Sequence, residues 1–167
     1  MFKLFLFFWL FFFSACSTKR APYIEPKHPP LLKHQPHSYK LHNKNHITTK
    51  LLLSYEKWQG VKYCYGGESN NGIDCSSLVQ QIYKEAFHIK LPRTTKEQIK
   101  KGIKITKKEL KEGDLLFFKT SYKELHTGIY LEKGNFIHAS SKYGVSLANI
   151  HNPYWRSRYY QAKRLLY

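Results

Sequence analysis

A change of period near residue 114 constrains this chain more than any other feature. Upstream, Ile47, Leu51, Tyr55 and Trp58 recur at steps of four, four and three, and Leu78, Val79, Ile82 and Ala86 line one side of a second segment. Both patterns are those of amphipathic helices. Downstream, short apolar runs at 115–118, 126–131, 135–139, 143–149 and 158–166 alternate with turn residues, the pattern of strands. Helices first and an antiparallel sheet of about five strands second make an α+β arrangement. Gly60 predicts the end of the first helix, and Asp74 is a good N-cap for the second. Leu91-Pro92 breaks the chain before a short helix containing Gln98, and the stretch from Asn152 to Trp155 reads as a connection before the last strand.

The first half also carries information about compartment. Lys3, an unbroken apolar run over 4–13 and the small residues Ser14 and Ala15 have the three parts of a secretory signal peptide, over residues 1–15. The run is shorter than the roughly 20 apolar residues a bilayer span needs. The small-small-Cys ending resembles the bacterial lipobox, which makes Cys16 the expected site of acylation and membrane attachment. Ser17 after it resembles the outer-membrane sorting pattern, so a lipid anchor facing the periplasm is expected. Residues 16–45 show no apolar periodicity, and Pro22, Pro26, Pro29, Pro30 and Pro36 alternate with Lys and His. This predicts a disordered tether with a span on the order of 30 Å. His28, His34, His37, His42 and His46 match no metal-ligand spacing and read as part of a solvated basic linker.

The formal net charge of +17, from 28 Lys+Arg against 11 Asp+Glu, predicts affinity for polyanions. Export sets nucleic acid aside and leaves membrane surface and the carboxylate-rich peptides of peptidoglycan. With Cys16 committed to lipid, Cys64 and Cys75 are too few for a disulfide scaffold, and Cys75 is expected to be reduced. The folded part is expected over 46–167, as a monomer.

Cys75 falls in the first turn of the second helix. Unpaired backbone N–H groups and the positive end of the helix dipole favour thiolate there, and such sites lower a thiol pKa from about 8.5 into the range of roughly 3.5–7.5. Asp74 opposes this. The histidines downstream depend on one turn. With a two-residue Lys133-Gly134 loop, His138 would pair with Ile129 and face away from His126. With a three-residue Glu132-Lys133-Gly134 loop and a left-handed Gly134, His138 pairs with Gly128 and shares a face with His126, about 7–8 Å away across a diagonal. We adopt the three-residue loop, because a catalytic reading needs both rings on one face. A thiol at a helix start and two histidines on one face of a sheet packed against it supply nucleophile, base and orienter.

Six motifs then stand in order: Tyr63-x-Tyr65-Gly66-Gly67, Asp74-Cys75-Ser76, Leu91-Pro92-Arg93-Thr94, Gly113-Asp114-Leu115, His126-x-Gly128-Ile129-Tyr130 and Phe136-Ile137-His138-Ala139-Ser140. Together they resemble the NlpC-type (NlpC/p-sixty) cell-wall cysteine peptidases, over about residues 58–166. The resemblance implies a papain-like fold and hydrolysis of peptide bonds in peptidoglycan stem peptides or crosslinks, with no metal and no cofactor. It further implies that Cys75 attacks the carbonyl, His126 is the base, His138 holds the His126 ring, and the Tyr63 hydroxyl helps the Cys75 N–H hold the oxyanion. Either the D-γ-glutamyl–diaminopimelate bond or the diaminopimelate–D-alanine crosslink fits the family. Ser77 and Thr127 stand where the family usually has Gly and Val. Arg93 and Asp114 are expected to be structural, in an ion pair or a turn. The rival expectation is a non-catalytic outer-membrane lipoprotein that binds peptidoglycan or anionic lipid; acyl transfer on lipid is a third.

Overall fold

A computed structural model describes residues 46–167; the signal-peptide run 1–15, the acylation candidate Cys16 and the tether 16–45 lie outside the described residues. The chain enters through helix α1 (His46–Trp58), which buries Leu51 and Trp58 and stops before Gly60, whose φ of +78° no β-carbon-bearing residue adopts cheaply. A two-stranded hairpin, β1 (Glu68–Ser69) and β2 (Gly72–Ile73), then delivers the chain to helix α2 (Cys75–Phe87). Leu78, Val79, Ile82 and Ala86 of α2 are buried, as their spacing predicts. The short helix α3 (Thr95–Gln98) follows.

The second half is one antiparallel sheet of six strands in the order β3-β8-β4-β5-β6-β7. These are β3 (Ile103–Ile105), β4 (Leu115–Lys119), β5 (Leu125–Tyr130), β6 (Asn135–Ser140), β7 (Gly144–Asn149) and β8 (Tyr159–Arg164). The α+β expectation holds, with one strand more than the five read from sequence. The added strand, β3, is an Ile-Lys-Ile edge strand paired only to β8, too short for a period of two to register. The expected connection at 152–155 is instead the start of helix α4 (Pro153–Arg158). Its capping signals are present in Asn152, whose Oδ1 accepts from the Tyr154 N–H at 2.9 Å, and in Pro153 at the first turn. Six residues are too few to show helical periodicity.

The sheet is buried on both faces. Leu115, Phe117, Ile129, Ile137, Ala139 and Val145 meet α1 and α2 on one side, while Leu116, Phe118, Phe136, Ala148, Ala162 and Trp155 form a second core on the other. Asp114 ties the entrance of β4 to β8: its two oxygens accept from Arg164 Nε and Nη2, each at 2.8 Å. Tyr83 of α2 donates to the Gly113 carbonyl in the same turn. The structural role expected for Asp114 is therefore met.

Candidate active site

The start of α2 is pinned by charge. Asp74 accepts from the Ser77 N–H at 2.8 Å and the Ser76 hydroxyl at 3.0 Å, which caps the helix. Arg93 forks onto both Asp74 oxygens at 3.0 and 2.7 Å and also donates to Glu68 at 2.6 Å. Gly66 N–H adds a bond to Asp74 Oδ2 at 3.1 Å. Burial pushes the Asp74 carboxyl up, but the hydrogen bonds from Arg93, Ser77 and Ser76 prevail and hold it below the usual carboxylate range. Arg93 is thus structural, as expected: it locks the hairpin before α2 to the helix cap.

Cys75, in the first helical turn, is 8% exposed. Its sulfur lies 3.8 Å from Thr95 Oγ1 and receives the backbone N–H of Thr127 on β5. Burial pushes the thiol up from its ordinary value; the Thr127 and Thr95 donors pull against this, and the Asp74 charge adds to the rise. This corrects the expectation of a depressed thiol. In so dry a site, loss of solvation outweighs the helix dipole.

The β5–β6 turn settles the register of the histidines. Ile129 pairs with Ile137 and Tyr130 with Phe136, and Leu131 N–H donates to the Asn135 carbonyl at 2.8 Å. That leaves Glu132-Lys133-Gly134 as the loop, with Lys133 at φ 52° and Gly134 at φ 83°. Continued in the same register, His138 falls beside Gly128, where an added β-carbon would meet His138 Cβ at 3.3 Å and the Ile137 oxygen at 2.6 Å. The three-residue loop is therefore present and its geometric consequence holds: His126 Nε2 and His138 Nδ1 are 3.0 Å apart. One proton lies between them, and the bond leaves His126 Nδ1 for a different partner.

The turn does not decide which face they share. His126 pairs across the sheet with Phe118, and His138 packs on Phe136, so both rings lie on the face away from α2. The thiol meets β5 edge-on instead. Recorded β5–β6 pairing stops at Ile129, and two residues back Thr127 turns its N–H to the Cys75 sulfur. Cys75 thus takes a backbone donor next in sequence to His126.

Burial pushes the His126 imidazole down to about 4, although the Asp74 charge pulls it the other way. The ring is neutral at neutral pH. Tyr63, joined to Ile73 by an isolated parallel bridge, is pushed up by burial and by the charges of Cys75, Asp74 and Glu124, so its hydroxyl remains protonated and able to donate. The structure thus gathers Cys75, His126, His138 and Tyr63 around one end of α2. Among the described residues, no three His, Cys, Asp or Glu side chains are grouped to hold a metal ion.

Two neighbours escaped the sequence reading. Thr95 touches the sulfur, and Trp155 lies with its ring 5.3 Å from that of His126 and 5.0 Å from that of His138. The helix-cap pair Asn152-Pro153 was the available signal for Trp155. At the two departures from the family pattern, Ser77 and Thr127 are fully buried, and neither hydroxyl has a partner among the described residues.

Comparison with known proteins adds four findings. A family model described as the NlpC/P60 family matches residues 60–164. The chain is 38% identical over 120 residues to the murein DD-endopeptidase MepS/murein LD-carboxypeptidase of Escherichia coli, an overlap that covers 72% of this chain and 64% of that protein. It is 38% identical over 154 residues to the probable endopeptidase NlpC of Escherichia coli, covering 91% and 92% of the two chains. The chain thus spans just under two thirds of the first relative and nearly all of the second. Among solved structures, a Staphylococcus aureus protein described as similar to lipoprotein, NLP/P60 family, superposes with a TM-score of 0.66 at 30% identity, covering 75% of this chain and 43% of that one.

Proposed function

The chain belongs to the NlpC/P60 family, and from that premise we propose that it is a cysteine endopeptidase that hydrolyses peptide bonds in peptidoglycan. The observation that carries this reading is the conjunction at the start of α2: a buried thiol against the Thr127 N–H, and, next to Thr127 along β5, His126 with one ring nitrogen 3.0 Å from His138.

Cys75 and His126 start as a neutral pair, so the thiol proton moves to His126 Nδ1 as sulfur attacks the scissile carbonyl. His138 holds Nε2 and shares the charge that develops on the imidazole. The Cys75 N–H and the Tyr63 hydroxyl donate to the oxyanion. His126 then returns its proton to the departing amine, and the acyl-enzyme is opened by a water that His126 deprotonates. General acid–base transfer of this kind contributes about 10²–10⁴ in rate, and one oxyanion donor about 10²–10³.

For the bond cut, we favour the diaminopimelate–D-alanine crosslink over the D-γ-glutamyl bond, supported by the DD-endopeptidase name of the relative in Escherichia coli. The protein works as a monomer anchored through lipid on Cys16, on the periplasmic side of the outer membrane. Residues 16–45 give it reach to the wall, and the charge of +17 supports retention on a carboxylate-rich polymer. Incubation with purified crosslinked peptidoglycan and mass spectrometry of the fragments tests this. Crosslinked dimers should fall to monomers with wild type and persist with Cys75→Ala. Shortened stem peptides in place of resolved dimers would move the assignment to the D-γ-glutamyl bond, and no new amine termini with a reduced thiol would end the peptidase reading. Mass spectrometry of the mature N-terminus tests the lipid on Cys16.

A further inference from the structure

His126 has a hydrogen-bond partner for one nitrogen, but a single bond does not fix an imidazole. The terminal torsion of a histidine is broad and roughly two-fold, so the ring can swing about its bond to His138 with little torsional penalty. Nucleophilic catalysis tolerates little of that freedom, because Nδ1 must stay in line with the Cys75 sulfur. Something other than His138 has to hold the ring plane.

The indole of Trp155 is placed to do so. It lies against His126 at 5.3 Å between centroids with only 31° between planes, and it meets His138 edge-on at 5.0 Å and 82°. The two imidazoles are themselves nearly perpendicular, at 84°. One flat surface therefore supports both rings in the relative orientation their hydrogen bond needs. Trp155 is 4% exposed and is clamped in turn by Phe118 at 4.8 Å and Phe136 at 5.2 Å. Helix α4 delivers it from a capped first turn, and the Arg158 guanidinium covers the neighbouring Tyr154 ring at 3.8 Å.

Building on the peptidase reading, we propose that Trp155 is a positioning residue for the reaction: His138 selects which His126 nitrogen is left for the thiol, and Trp155 holds the plane in which that nitrogen points. The same indole excludes water from one side of the ring. The ionisable groups that act on His126 are then few: His138 from β6, and Asp74 from the start of α2. Asp74 alone brings a fixed charge, and α4 brings none through Trp155. The depression of the His126 pKa to about 4 by burial accords with this dry wall.

Trp155→Phe keeps a flat aromatic wall, whereas Trp155→Leu keeps bulk without one. Two readouts are needed: ring-nitrogen NMR of histidine-labelled protein, with His126→Gln for assignment, and kcat and KM on crosslinked peptidoglycan fragments. With Leu, kcat should fall about 10²-fold while KM moves less than about threefold. The His126 titration should climb from about 4 toward 6.5, and its nitrogen shifts should show mixed tautomers. Phe should restore most of kcat and a single tautomer. Unchanged His126 spectra and kcat in folded Leu protein would overturn the proposal. So would equal losses in Leu and Phe that merely track the folded fraction. If no variant, wild type included, cleaves the wall while the NMR contrast persists, the positioning stands and the substrate reading falls, because the NMR uses no substrate.

Discussion

Cys75 stands between two neighbourhoods built on opposite principles. On its helix-cap side, Asp74, Arg93 and Glu68 bring three formal charges together, and a fork of hydrogen bonds at 2.6–3.0 Å matches them. On its strand side, His126 and His138 share one proton-carrying contact inside a wall of Trp155, Phe118 and Phe136. The charged side fixes backbone: it locks the β1–β2 hairpin, the cap of α2 and the segment before α3. In the proposed reaction the neutral side moves a proton. Because the Asp74 charge raises the thiol and pulls up the His126 pKa, Arg93 also shields the reacting pair from its nearest anion. Separating the two tasks lets a site be rigid without being ionised.

The largest expected effect separates function from stability. His126→Gln removes the proposed base but keeps a polar group for His138 to meet. Peptidoglycan hydrolysis should fall by about 10²–10⁴, while unfolding in urea should shift by less than about 1 kcal/mol. A collapse in stability instead would mean that the imidazole pair holds the fold as well.

Arg93→Met is the mirror experiment. It leaves Asp74 buried without its fork, and breaking such a pair costs about 3–5 kcal/mol. The melting temperature should fall, and with Asp74 unshielded the Cys75 thiol should react more slowly with iodoacetamide at neutral pH than it does in wild type. A stable variant with normal thiol reactivity would dissolve the distinction between the two sides.

Acid titration should resolve them in one experiment. The folded His126 value of about 4 lies below its unfolded value of 6.5, so between these values the unfolded chain binds more protons. That contribution to stability is complete above about pH 6.5 and is lost as pH falls to about 4, a total of roughly 3 kcal/mol. The Asp74 carboxyl is depressed in the folded state, so its contribution is present above its unfolded value of 3.8 and disappears as pH falls further. Urea midpoints measured from pH 8 to pH 2 should therefore drop in two stages. His126→Gln should erase the upper stage and Arg93→Met the lower.

How much of this was legible depended on how local each feature is. The α2 cap, its apolar face and the thiol in its first turn occupy thirteen consecutive positions at most, 74–86, and all could be read from spacing. The shared face of His126 and His138 followed from the three residues of one turn. The face they chose did not, since register fixes which side chains agree but not which side the helices cover. The neutral state of the pair was also hidden. A helix start argues for thiolate, and the burial that reverses this comes from packing of α2 on β5 and β6, some fifty to sixty residues downstream, while the indole that walls off His126 comes from α4. Trp155 itself sits on a helix too short to have a period, and β3 on a strand too short to alternate.

The smallest test lies on the seam between the two regions. Thr127 gives its N–H to the thiol, yet its own hydroxyl is fully buried with no partner among the described residues. A buried hydroxyl without a partner carries a desolvation cost, whereas an apolar group of the same shape carries none. Thr127→Val keeps the backbone donor and the branched shape, so it should raise the urea unfolding free energy by about 1 kcal/mol. A loss of similar size would show that an ordered water satisfies the hydroxyl. The strand side of Cys75 would then be wet at the one point where β5 turns from its ladder to the sulfur, and the contrast with the charged side would be narrower than the packing implies.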